Sequence, residues 1–171
     1  IYGKEYSHFT PHEAMELGIS AIYQEFILVP YLTVAENIFF GREQTKGGFL
    51  SKAEMNKKTR ELCLEMGVEV DPKAKVMDLG VAYQQIVEIV KAVSQNAKIL
   101  VMDEPSAPLT TNEIDAMFNV VRKLKSKGVT ILYISHRLEE IFEICDRVSI
   151  MRDGQYITTA KTNEIAKKEI I

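Results

Sequence analysis

Cysteine is scarce in this chain. The two present, Cys63 and Cys145, lie far apart and in no CxxC or Cys/His spacing, which removes a zinc finger or a disulfide scaffold and leaves reduced core thiols of a cytosolic protein. Long apolar runs are also lacking. None approaches the roughly 20 residues needed to cross a bilayer, and no signal peptide is legible. There is no surplus of positive charge, and a net charge of -3 gives no global field to attract nucleic acid. Internal repeats and low-complexity tracts are missing too. What remains is a chain of 171 residues, 46% hydrophobic and 26% charged, enough for one globular domain with a real core. It opens on Ile1 rather than Met, which raises the expectation that an upstream stretch has been removed.

Helix starts are marked by capping boxes, a Ser or Thr with Glu three residues later. Thr10 with Glu13 opens "TPHEAMELG", Thr33 with Glu36 opens "TVAENIFFG", Ser51 with Glu54 opens a third helix and Thr110 with Glu113 a fourth. Helical spacing of Ile86, Ile89, Val90 and Val93 predicts a helix over 83–95. Short apolar runs at 21–24, 98–103 and 130–135 predict strands, and their continuity predicts burial on both faces, as in a parallel sheet. Residues 147–151 and 155–159 read as a hairpin through the "DG" turn, and 162–171 as a short helix. Strand–helix alternation from residue 98 onward argues for an α/β layer, and the helical stretch between 33 and 95 for a subdomain inserted between core strands.

Four chemistry-bearing residues fall at three strand ends, where ligands collect in open α/β sheets. "KILVMDEPSAPLT" sends Asp103 and Glu104 out of a buried strand, with Pro105 breaking the pleat so that both carboxylates reach one site. Asp103 suits Mg²⁺ held against a phosphate, and Glu104 suits orienting or deprotonating an attacking water. "TILYIS" delivers His136, an imidazole able to hydrogen-bond a terminal phosphate. Gln24 ends "AIYQ" and can ligate Mg²⁺ and position water. Alone, each has an ordinary reading: acids that end a strand, a histidine at a helix start, a turn glutamine.

Taken together, these residues resemble the nucleotide-binding subunit of ABC transporters. The stretches "YQEFILVPYLTVAENIFFGRE" (23–43) and "YISHRLEEIFEICDRVSIMRDG" (133–154) are similar to the simple-sugar importer type, whose subunits carry two ATPase halves in one chain; "ENIFFGRE" resembles the first half. The resemblance implies a partial P-loop NTPase core, α/β with a mostly parallel sheet, over 1–32 and 96–171, and a helical signature subdomain over about 33–95. It implies ATP and Mg²⁺ as cofactors. Gln24 becomes the Q-loop glutamine, touching metal and water; Asp103 the metal-associated aspartate; Glu104 and His136 the catalytic pair. Gly80, Ala82, Gln84 and Ser106 become contacts to the γ-phosphate or its surroundings. Implied partners are a second ATPase half, transmembrane permease subunits and, indirectly, an extracytoplasmic sugar-binding protein, with no nucleic acid. The implied place is the cytoplasmic face of the membrane. Apolar residues beside Gln24 (Phe26, Val29, Tyr31, Leu32, Phe39 and Phe40) are mostly core, with one or two available to dock the permease.

Two departures from that pattern matter. No GxxxxGK[ST] phosphate-gripping loop occurs; "GGFLSK" (47–52) lacks the Gly before its Lys. In the family that loop precedes the Q-loop, so it is expected upstream of Ile1. The 171 residues alone are therefore expected to bind ATP weakly or not at all, to lack ATPase activity, and to be marginally stable. The signature LSxGQ reads "LGVAYQQ" (79–85), with Gly80 for Ser and Ala82 for Gly. Either this half completes its partner's site poorly, as a structural or nucleotide-sensing module, or the remaining amides suffice. A soluble ABC ATPase of DNA repair or translation is disfavoured by the acidic balance. His8 and His12 read as surface residues, and Lys57, Lys58 and Arg60 as a solvated helix face.

Overall fold

The structure, a computed structural model, describes residues 1–42, 45–46 and 49–169. The expected glycines 47 and 48 of "GGFLSK", Glu43 of "ENIFFGRE" and the last two residues of the predicted tail helix lie outside them.

In order, the elements are α1 (Pro11–Glu16), β1 (Ile19–Ile22), α2 (Val34–Ile38), β2 (Thr45–Lys46), β3 (Phe49–Leu50), α3 (Lys52–Glu65), α4 (Val81–Ser94), β4 (Ile99–Asp103), α5 (Thr111–Ser126), β5 (Thr130–Ile134), α6 (Leu138–Ile144), β6 (Arg147–Arg152) and β7 (Gln155–Lys161). The capping boxes at Thr10/Glu13, Thr33/Glu36 and Thr110/Glu113 all form, each closing two otherwise orphaned backbone donors. Ser51 caps α3 by accepting the Glu54 amide.

β1, β4 and β5 form a parallel sheet in the order β1-β4-β5, with Ile22 opposite Met102 and Asp103 opposite Ile134. α4 packs on β1 and α5 on β5, and the two helices pack on each other. The face they cover holds Ile22, Leu100, Met102 and Tyr133, with Ile86, Val87, Val90, Phe118 and Val121 above it. The same apolar cluster continues into α2 and α3 through Val34, Ile38, Met55 and Cys63.

Several expectations are corrected. The sheet is not buried on both faces throughout: Leu132 is 56% exposed and Ile134 45%, because alternate β5 residues point away from the helices. β1 runs from Ile19, not Ala21, since Gly18 (φ 75°) turns the chain and pairing with β4 starts at Ile99; Gln24 therefore lies two residues past the strand. α4 begins at Val81, not residue 83, with Gly80 extended as its N-cap. The hairpin forms as expected, β6 pairing with β7 through Asp153 (φ 51°) and Gly154 (φ 75°), the twin positive φ values of a tight turn, and among the described residues it stands apart from the parallel sheet. Among the described residues the expected tail helix amounts to one 3-10 turn at Lys167–Glu169.

Candidate active site at the carboxyl end of the sheet

Parallel pairing brings three strand ends to one edge of the molecule. Asp103 is the last residue of β4; Gln24 follows the end of β1 on one side, and His136 the end of β5 on the other. Glu104 comes next, and its backbone leaves the pleat at φ 45°. That is the left-handed region, sparsely populated for a glutamate and held only where the surroundings fix it. Here its amide donates to the Ile134 carbonyl at 2.9 Å, and Pro105 behind it is buried. The turn redirects the side chain sideways. Nδ1–H of His136 then donates to Glu104 Oε1 at 3.0 Å.

The pair is accessible from solvent, with the histidine side chain 70% exposed and the glutamate 29%. With Nδ1–H committed to Glu104, the outward Nε2 accepts when the ring is neutral and donates when it is cationic. Glu104 keeps a second oxygen for water. Gln24 is exposed, and Asp103 half-buried. Among the described residues no group of three or more His, Cys, Asp or Glu gathers as a metal cage. Asp103 and Gln24 carry oxygen donors of the kind Mg²⁺ takes.

The remaining expected ligands lie otherwise. Ser106 is 2% exposed, and its hydroxyl donates inward to Glu140 Oε2 at 2.7 Å, so the structure does not bring it to the pair. Gly80, Ala82 and Gln84 stand at the N-terminus of α4. Among the described residues no hydrogen bond joins them to Asp103, Glu104 or His136. Gln84 Nε2 donates to the Leu79 carbonyl at 2.9 Å. Ala82 is 8% exposed and belongs to the core, so its methyl turns inward instead of crowding the helix end. A Cβ added at Gly80 would meet nothing within 4 Å.

Two buried carboxylates escaped the sequence reading. Glu140 lies on the stripe of α6 with Ile141 and Ile144. Glu88 sits inside "IVEIV" on α4, 3% exposed, and its Oε1 accepts the Ile27 amide at 2.8 Å. Burial pushes its pKa up, opposed by that hydrogen bond. An acid in the apolar stripe of a helix was the available signal for both. The six apolar residues beside Gln24 are not mostly core: Phe39 is buried, Phe26 and Leu32 are half-buried, and Val29, Tyr31 and Phe40 are exposed.

A family model described as ABC transporter matches residues 1–107. The ribose import ATP-binding protein RbsA 3 of Rubrobacter xylanophilus is 45% identical over 171 residues, which is 100% of this chain and 34% of that protein. The galactose/methyl galactoside import ATP-binding protein MglA of Yersinia pestis is 44% identical over 169 residues, 99% of this chain and 33% of that protein. The chain thus spans about a third of the length of these curated relatives. Among solved structures, the ADP conformation of an ATP-binding cassette of an ABC transporter superposes with a TM-score of 0.78 at 27% identity, covering 98% of this chain and 68% of that one.

Proposed function

The chain belongs to the ABC transporter family of ATP-binding proteins, and from that premise we propose that it is part of a subunit that hydrolyses ATP to power import of a simple sugar. The observation that carries the reading is the Glu104–His136 pair beside Asp103 at the carboxyl end of the sheet. Glu104 orients the attacking water and takes up its proton. As the imidazolium, His136 donates from Nε2 to the γ-phosphate, and its Nδ1–H bond to Glu104 fixes the ring. Asp103 and Gln24 would hold Mg²⁺, which when bound would neutralise phosphate charge. Positioning and charge neutralisation account for most of the rate in this chemistry, which is why so few side chains suffice.

In this proposal residues 33–95 form the signature subdomain, presenting Gly80, Ala82 and the α4 amides to nucleotide on a second ATPase half. Residues 1–32 and 96–171 supply the α/β core. Tyr31 and Phe40, exposed close to Gln24 in sequence, fit a docking surface for transmembrane permease subunits at the cytoplasmic face of the membrane, with an extracytoplasmic sugar-binding protein acting from the other side. Among the described residues no helix is long and apolar enough to cross a membrane.

A second reading is a non-catalytic half that only completes or senses its partner. It is favoured by Gly80, an N-cap with no side-chain hydrogen bond where the family places a serine.

Mg-ATP calorimetry tests the proposal, on these 171 residues and on a version extended upstream through a GxxxxGK[ST] loop. Binding by the extended form and weak or absent binding by the 171 residues is the expected result, since the sequence has no phosphate-cradling loop. Absence of binding by both would put the non-catalytic reading first.

A further inference from the structure

We infer that Glu140 is a positioning residue for this site: its buried carboxylate ties the loop after Glu104 to the end of β5 and so holds the Glu104–His136 pair in register. The inference rests on the functional reading above and names a group it does not use. Glu140 is 5% exposed, and its Oε2 accepts three hydroxyls, from Ser106 at 2.7 Å, Tyr133 at 2.9 Å and Ser135 at 3.1 Å. The Arg137 guanidinium reaches its Oε1 at 3.4 Å.

Ser106 is two residues after Glu104, and Ser135 immediately precedes His136. One carboxylate therefore bonds to both chain segments that carry the pair. Tyr133 anchors it to the core through an edge-on contact with Phe118, ring centroids 6.1 Å apart. Burial keeps the Tyr133 hydroxyl protonated, raising its pKa, so that it remains a donor. A position flanked on α6 by Ile141 and Ile144 would serve packing as well with an aliphatic residue; a lone buried carboxylate is costly unless several donors meet it. Four do so here, and two of them, Ser106 and Ser135, lie within two residues of Glu104, whose backbone sits at φ 45°, and of His136. Strain of that kind persists only where the surroundings over-determine it. The Glu104 amide bond to Ile134 fixes the pair from one side and Glu140 from the other.

The test uses Glu140→Met, which fills the volume without acceptors, and Glu140→Gln, which keeps one acceptor oxygen. In the full-length protein with its permease, Glu140→Met should lower kcat for ATP about 10- to 100-fold, the scale of a small misplacement of reacting groups, with KM within about threefold. Glu140→Gln should recover part of the loss. On the 171 residues without nucleotide, Glu140→Met should speed amide exchange at Glu104 and move the ring nitrogen resonances of His136, while Leu100 stays protected. Unchanged kcat per folded molecule, with only a lower Tm, would overturn the inference. If the unmodified protein hydrolyses no ATP, the functional reading falls and the exchange and resonance data decide this inference alone: unmoved Glu104 and His136 signals refute it, moved signals uphold it. Should Glu140→Met fail to fold, the same readouts on Glu140→Gln decide.

Discussion

Glu104 and His136 follow the ends of two neighbouring parallel strands and meet at 3.0 Å. Their contact isolates one experiment. In Glu104→Gln a carbonyl oxygen still accepts from Nδ1–H, so the pair keeps its geometry while the base is lost. In the protein carrying a phosphate loop, ATP turnover should fall by about 10²- to 10⁴-fold with Mg-ATP binding retained. Phosphate release and calorimetry on one preparation check both halves. A variant that turns over at the original rate would remove Glu104 from the chemistry.

Glu88 should make the protein lose stability with rising pH. Its pKa is raised in the folded state by burial, so the folded chain binds more protons than the unfolded one above the ordinary carboxylate value of 4.5. Stability is then greatest below that value and declines as pH rises through the raised folded pKa. Glu88→Gln keeps an oxygen for the Ile27 amide and carries no charge. Its Tm relative to the native chain should therefore climb between pH 4.5 and 7; a flat difference would contradict this.

Glu36 should act in the opposite sense. The Thr33 amide and the Lys52 ammonium, 3.0 Å away, hold its pKa down to about 2 from 4.5. The stability it contributes is complete above the unfolded value and is lost as pH falls toward about 2. Thr33→Ala removes the cap and should cost about 1 kcal/mol at neutral pH, with less acid sensitivity, in urea melts at pH 7 and pH 3.

Gly80→Ser should fold without strain, since a Cβ there meets nothing within 4 Å. As an N-cap it should stabilise by only a few tenths of a kcal/mol. Turnover of the paired halves should rise if the missing hydroxyl limits the partner's site. A stable variant with unchanged turnover would show that the α4 amides already suffice.

The secondary structure was legible where its signal is local. A threonine and a glutamate three residues apart close their own hydrogen bonds, so α1, α2 and α5 start at Pro11, Val34 and Thr111, where the capping boxes put them. The "DG" pair imposes its turn for the same reason. β1 was misplaced because pairing with β4, not its own apolar run, sets where the ladder begins. Burial of both sheet faces was expected from apolar runs alone, yet Leu132 shows that a run says nothing of which side a helix covers.

By itself, the sequence determined that Asp103, Glu104 and His136 would stand at the ends of strands, because short apolar runs broken by Pro105 and by a helix start leave little choice. Only the tertiary structure decided which strands adjoin, and therefore that Glu104 meets His136 from 32 positions away. It also decided that Ser106 turns inward to Glu140, 34 positions on, and that Ile27 bonds to Glu88 across 61. A buried carboxylate needs donors, and at such separations only the folded topology selects which donors come within reach.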